Sequence, residues 1–127
     1  MKILLDTHAL IWFVEGTNKL SSKAKAEIEN LNNERFVSIA SLWEIAIKSS
    51  RNKLELKKTF KETIQSVIDN DIRIITIETQ HLNTLLMLKY HHGDPFDRLL
   101  IAQAITEDLT IISADKEFQA YPVRVKW

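Results

Sequence analysis

Four acidic residues stand where a carboxylate has to be explained. Asp6 directly follows a short apolar run, and Glu44 lies inside a stretch that is apolar nearly all round. Asp97 comes just before a third apolar run, and Asp115 lies just past a fourth. Burying an unpaired charge is unfavourable, and converging carboxylates repel one another and raise each other's pKa values. A bound divalent cation removes both penalties, so the pattern predicts a metal site.

The ligand types indicate which metal to expect. The chain contains no cysteine, and its four histidines lack metal-site spacing, with no His-Glu-x-x-His sequence. His91 and His92 are adjacent, so they point in different directions on any regular element. An all-oxygen ligand set favours Mg²⁺ or Mn²⁺ over zinc. These ions polarise phosphoryl oxygens and activate water, which is the chemistry that phosphodiester hydrolysis needs most.

Each acid also has a purely structural alternative. Asp6 and Asp115 are placed to cap the helices that follow them, and Glu44 is spaced to complete a capping box with Ser41. Asp97 falls in the first turn of a predicted helix, where the free N–H groups and the dipole favour a carboxylate. Any one alternative is reasonable, but all four holding at once is much less so.

The elements that must position these acids alternate along the chain. Strands are predicted at residues 2–5, 35–38, 72–75 and 109–112, with a last edge strand at 123–125. Helices are predicted at residues 7–14, 22–31, 39–50, 59–70, 78–90 and 94–106. This alternation predicts a three-layer α/β/α fold with a mostly parallel central sheet. Ligands bind such sheets outside the carboxyl ends of the strands, where the four acids fall.

The bulk composition sets further limits. A length of 127 residues predicts a single domain over 1–127. Basic and acidic residues number 17 each, so any nucleic-acid site must be a local patch. Lys48, Arg51 and Lys53 make one helix end basic, as a solvated face or as a track for an RNA backbone.

The chain carries no sign of export or membrane insertion. The absence of cysteine excludes disulfides and fits a reducing cytoplasm. The apolar start contains Asp6 and His8 and lacks a small-residue cleavage site, so it is not read as a signal peptide. No apolar stretch approaches the length of a transmembrane helix, so no membrane association is expected.

Four stretches, taken together, resemble the acidic motifs of PIN-domain ribonucleases, and most of all VapC-type toxins of toxin–antitoxin pairs. Their order and spacing match over nearly the whole chain. They are Leu4-Leu5-Asp6-Thr7, Ser41-Leu42-Trp43-Glu44-Ile45, Asp94-Pro95-Phe96-Asp97-Arg98-Leu99-Leu100-Ile101-Ala102-Gln103-Ala104 and Thr110-Ile111-Ile112-Ser113-Ala114-Asp115.

The resemblance implies a PIN-like fold and a metal-dependent endoribonuclease. Carried over by position, Asp6, Glu44, Asp97 and Asp115 would be the catalytic, metal-binding acids. It also implies an RNA substrate, a homodimer and a cognate antitoxin that blocks the site. Asp94 is extra to the pattern, and either joins the site or only caps its helix.

Two other functions compete with this one. A Mg²⁺-dependent phosphatase would use Asp6 as covalent nucleophile, but the second acid usual two positions on is replaced by His8. A catalytically silent PIN-fold binding module is the other, and the complete set of acids argues against it.

Three more residues have open roles. His8 is either helix-start packing or a substrate contact, and Arg98 is either a phosphate contact or an ion-pair partner of Asp97. Trp12 belongs to the core, to an interface or, least expected, to a base-stacking surface. Residues 10–13 are all large and apolar, more than one face of a short helix buries, so we expect some of them in an interface between copies.

Overall fold

The computed structural model describes residues 1–127 and contains one five-stranded sheet. The strands are β1 Lys2–Leu5, β2 Glu34–Ser38, β3 Arg73–Ile75, β4 Thr110–Ile112 and β5 Val125–Lys126. Their order is β3-β2-β1-β4-β5, and every neighbouring pair is parallel. The predicted parallel α/β architecture is confirmed, and the edge strand begins two residues later than expected.

Six α-helices and one 3₁₀ helix connect the strands. They are α1 Thr7–Val14, α2 Ser22–Glu29, α3 Ile39–Ser50, α4 Phe60–Asp69, α5 Thr79–Met87, α6 Pro95–Glu107 and the 3₁₀ helix Lys116–Ala120. Helices α2 and α5 end before the predicted residues 31 and 90. After α2 the Asn33 side-chain amide donates a hydrogen bond to the Glu27 carbonyl, and after α5 the backbone of Leu88 is extended. None of the helices is long and apolar enough to cross a membrane.

The sheet is covered on both faces because side chains alternate along β1. Ile3 and Leu5 belong to a core cluster built mainly with α1 to α4. Leu4, between them, belongs to a second cluster with α6 and Phe118 of the 3₁₀ helix. All three side chains are fully buried, which accounts for the continuous apolar run that the sequence shows there.

The strand order places a topological switch point beside β1. The chain runs from β1 through β2 to β3 in one direction, and β4 then pairs with the other side of β1. Ligand crevices of open α/β sheets lie at such points, outside the carboxyl ends of the strands. Asp6 follows β1 and Asp115 follows β4, so both stand at this crevice.

The first helix buries much of its apolar surface within the monomer. Leu10 and Ile11 belong to the core, while Trp12 and Phe13 are half-buried and pack against the same cluster. That some of them pack in an interface between copies stays a prediction. Within the monomer, Trp127 from the end of the chain packs on Trp12 with ring centroids 5.8 Å apart. A residue so distant in sequence is invisible to helix periodicity.

Candidate active site

All four predicted acids line one cleft at the carboxyl end of the sheet. The cleft has a volume of about 280 Å³. Its lining residues are Asp6, Thr7, His8, Trp12, Glu44, Lys48, Asp94, Asp97, Ala114 and Asp115. Five carboxyl groups therefore share this space with a single ammonium group.

Asp6 serves as a helix cap and as part of the cleft wall at the same time. One carboxyl oxygen accepts a hydrogen bond from the Ala9 amide at 2.8 Å, which caps α1. Burial raises the pKa of Asp6, although a hydrogen bond from Ser113 opposes that shift. The same carboxyl group therefore caps α1 and lines the cleft, so the two roles are compatible.

Glu44 lies in the middle of α3 and is held from two directions. Thr7 Oγ1 donates to one of its oxygens at 2.6 Å, and Lys48 Nζ contacts the other at 2.6 Å. The capping box expected with Ser41 is not formed, because α3 starts at Ile39 with Ser38 as its cap. Glu44 is buried, so these two partners orient it into the cleft rather than toward solvent.

Asp94 and Asp97 divide two tasks at the start of α6. Asp94 Oδ1 accepts from the amides of Phe96 at 2.8 Å and Asp97 at 3.3 Å, which makes it the helix cap. Asp97 points into the cleft, where burial and the nearby charge of Asp94 raise its pKa from 3.8 to about 7. Glu44 and Asp6 add to that rise, so the acids of the cleft interact electrostatically as a group.

His92 also belongs to this cluster, although the sequence did not predict a histidine there. Its Nε2 lies 3.1 Å from Asp97 Oδ2, 3.1 Å from Asp115 Oδ2 and 3.2 Å from Glu117 Oε2. Its Nδ1 accepts the Asp94 amide at 3.1 Å, which assigns the proton to Nε2. Burial alone would lower the pKa of His92, but the hydrogen bond to Asp115 and the charges of Asp97 and Glu117 raise it.

Asp115 meets the cleft from the end of β4. Its Oδ1 accepts the Glu117 amide at 2.9 Å and caps the 3₁₀ helix, as the capping alternative expected, while Oδ2 faces His92.

The only local signals for His92 and Glu117 were their positions two residues from Asp94 and Asp115. For Lys48 the signal was its spacing of four residues from Glu44 on one helix.

Arg98 has neither of the roles expected for it. The side chain is buried, and it donates to the carbonyl of Lys89 at 2.9 Å and to the Tyr121 hydroxyl at 3.2 Å. Its guanidinium also lies 3.9 Å from the Tyr90 ring centroid. Arg98 therefore faces away from Asp97 and holds the segment between α5 and α6 in place through these contacts.

The residues of the cleft fit a hard divalent cation. The carboxyl oxygens outnumber the cationic groups, and burial together with the charges of neighbouring acids raises the pKa values of Asp6 and Asp97. A cation of charge two relieves that repulsion, and carboxylate oxygens are the ligands that Mg²⁺ and Mn²⁺ prefer. No thiol ligand competes for a softer metal.

The fold and the cleft define an α/β protein with an acidic site at the switch point of a parallel sheet. The chain belongs to the PIN domain family, whose sequence model matches residues 3–123. The family resemblance stated from the four motifs is thereby confirmed.

Relatives extend this result. The chain is 26% identical over 120 residues to Ribonuclease VapC22 of Mycobacterium tuberculosis, covering 94% of this chain and 91% of that protein. Two solved structures share the fold. VapBC2 from Rickettsia felis, bound to a DNA fragment from its promoter, has a TM-score of 0.72 at 18% identity and covers 99% of this chain and 98% of its own. DNA-bound VapBC from Salmonella typhimurium has a TM-score of 0.70 at 20% identity and covers 99% and 97%.

Proposed function

We propose that this protein is a divalent-metal-dependent endoribonuclease and the toxin of a toxin–antitoxin pair. The observation that carries the proposal is the convergence of Asp6, Glu44, Asp97 and Asp115 on one cleft from four separate parts of the chain. Family membership and the ribonuclease relative support the same activity.

In this proposal the acids hold the metal and the neighbouring side chains hold the acids. Asp6, Glu44 and Asp97 are the main ligands, because their carboxyl groups line the same cleft. Glu44 is kept in place by Thr7 and Lys48, and Asp115 supports the metal or a second ion. A bound Mg²⁺ or Mn²⁺ supplies a Lewis acid for the phosphoryl oxygens and lowers the pKa of a water molecule.

The proposed partners follow from the relatives. The matched structures from Rickettsia felis and Salmonella typhimurium are VapBC complexes, and a third match is a toxin–antitoxin complex from Klebsiella pneumoniae. We therefore propose a cognate antitoxin that covers the cleft, a homodimeric toxin and a cytoplasmic site of action on RNA.

The phosphatase alternative is not favoured. Position 8, where it would want a second acid, holds an exposed histidine whose ring lies against Trp12 with centroids 5.6 Å apart. Trapping an acyl-phosphate on Asp6 would support the phosphatase alternative, because hydrolysis by activated water forms no such bond.

The decisive experiment is cleavage of defined RNAs by the purified protein in Mg²⁺, Mn²⁺ or a chelator. Cleavage is expected with either ion and not with the chelator. Asp6→Asn and Asp97→Asn each reduce it to background while the circular dichroism spectrum stays that of the folded protein. Asp69→Asn, an exposed acid at the end of α4, is the matched control and keeps the native rate. A folded Asp97→Asn protein that cleaves at the native rate would remove Asp97 from the site.

A further inference from the structure

The acidic cleft opens into a second, larger groove. This groove has a volume of about 870 Å³, against about 280 Å³ for the cleft. His8 and Trp12 line both spaces, so they form the boundary between them. The end of α1 forms one wall of the groove, and the link at residues 54–57 forms the other. Anything bound across the acids extends naturally over these two rings.

The two rings form a fixed aromatic platform. Trp12 packs edge-on against Trp127 at 5.8 Å and lies 5.6 Å from the exposed His8 ring at an angle of 43°. Lys19 Nζ lies 5.9 Å from the Trp12 ring centroid, within the range of a cation–π contact. Because the core already holds Trp12, a flat ligand that stacks there orders little more of the protein.

A basic segment of the chain borders the groove. The segment at residues 48–58 carries five basic residues and one acid, in a chain whose net charge is zero. Arg51, Lys53 and Lys57 are exposed and take part in no ion pair. Lys48 lines the cleft and Lys57 lines the groove, so cations accompany both.

The link that carries these cations is attached to α1. The Lys57 amide donates to Glu15 Oε2 at 2.8 Å, which closes the groove at its far end. Of the twelve residues lining the groove only four are hydrophobic, so an apolar peptide helix would bury little here. Flat rings next to free cations instead suit a single-stranded nucleic acid, whose bases stack and whose phosphates need positive charge.

We propose that His8 and Trp12 form a base-stacking subsite for an unpaired nucleotide next to the scissile phosphate, with the basic segment 48–58 following the RNA backbone. This inference rests on the proposed ribonuclease function and deepens it, since it assigns the side chains that contact a base beside the scissile phosphate. A base inside a duplex presents only its edge and does not reach the platform.

The test measures binding separately from cleavage. Fluorescently labelled single-stranded RNA is titrated with Asp97→Asn protein, which is expected not to cut it, and with the same protein carrying Trp12→Leu or Trp12→Phe. Loss of one stacked base weakens binding by about tenfold or more, so Trp12→Leu raises Kd by that factor and Trp12→Phe restores most of the affinity. Trp43→Leu, which removes an exposed tryptophan outside the groove, is the matched control and leaves Kd unchanged.

A scan with abasic nucleotides identifies the stacked position. In the protein that retains Trp12, one abasic site is expected to raise Kd by the same factor as Trp12→Leu does. In the Trp12→Leu protein the same abasic site should raise Kd no further, as coupled partners do in a double-mutant cycle. Should Trp12→Leu fail to fold, the exposed His8→Ala replaces it, with an expected loss of a few fold and recovery in His8→Phe.

Several results would overturn the proposal. Unchanged RNA affinity in Trp12→Leu, or equal losses in Trp12→Leu and Trp43→Leu, would remove the subsite. So would unchanged RNA affinity together with lost capture of the antitoxin, which would make the groove a protein-docking surface. RNA that binds through Trp12 but is never cut would preserve the subsite and reject the ribonuclease function, and absence of any RNA binding would reject both.

Discussion

The carboxyl group of Asp97 holds its proton far more strongly than an exposed aspartate does. Burial and the charge of Asp94 raise its pKa from 3.8 to about 7, against the opposing effect of His92. Between those two pH values the folded chain holds a proton that the unfolded chain has released. The stability of the metal-free protein must therefore fall as pH rises through this range. The raised pKa of His92 acts in the same direction from its ordinary value of 6.5 upward, because the folded chain there keeps a proton that the unfolded chain releases.

Asp97→Asn should remove much of this pH dependence. We expect the urea midpoint of the native protein, measured in chelator, to fall between pH 4.5 and pH 7, and that of Asp97→Asn to fall less. Asp69→Asn should keep the native slope, because that acid is exposed on α4. A native slope in Asp97→Asn would show that the charge of Asp97 is relieved in some other way.

Asp94 offers a second test at the level of one residue. Its Oδ1 already caps α6 through the amides of Phe96 and Asp97, and asparagine caps helices as well as aspartate does. Asp94→Asn should therefore retain most of the RNA cleavage that Asp97→Asn abolishes, in the same assay. Asp94→Ala should lose about 1 kcal/mol of stability through the missing cap. Complete loss of cleavage in Asp94→Asn would place Asp94 among the metal ligands.

Among the elements, the junction of α5 and α6 depends on Arg98. Helix α5 stops at Met87, and Arg98 reaches from α6 to the carbonyls of Leu85 and Leu88 at 3.5 Å and of Lys89 at 2.9 Å. The Tyr121 hydroxyl, which also contacts Arg98, accepts the amides of His91 and His92. This network determines where His92 meets the acids of the cleft.

Arg98→Met should be strongly destabilising. Methionine keeps the apolar stem but removes four donated hydrogen bonds, including the buried one to the Tyr121 hydroxyl, at a cost of about 2–4 kcal/mol in the free energy of unfolding. Arg124→Met is the control, since its pair with Asp108 is exposed and such pairs contribute about 0–1 kcal/mol. Denaturant unfolding of the three proteins measures both effects, and equal stabilities would mean that Arg98 has no such role.

For the whole molecule, the absence of net charge removes global repulsion between copies. Exposed apolar surface that favours association also lies beyond α1. Leu86 and Met87 at the end of α5 are each 85% exposed, and Tyr90 just beyond is 83% exposed. Exposed apolar groups so close together mark an interaction surface.

Light scattering at micromolar concentration should give twice the chain mass of 14.7 kDa. Leu86→Glu should shift the protein toward the monomer, because an interface buries that charge. Leu31→Glu, at a residue 84% exposed after α2, should leave the dimer intact. A native protein that is monomeric at this concentration would contradict the expected homodimer.

The order of the elements, the parallel sheet and the placement of the four acids at one edge could be predicted from the amino-acid sequence. These features depend on local rules. The apolar run of β1 and the capping position of Asp94 involve residues at most a few positions apart, and a strand that alternates with helices has few possible topologies. The acids could therefore be identified before any contact between elements was known.

The side chains that surround those acids and those that cover the helices could not be predicted, because they come from distant parts of the chain. His92 and Asp115 are 23 positions apart and meet because Arg98 and Tyr121 fix the segment before α6. Trp12 of the first helix packs against Trp127 from the other end of the chain, a contact that helix periodicity does not predict. Periodicity shows which face of a helix is apolar, but what packs on that face depends on the closure of the whole fold.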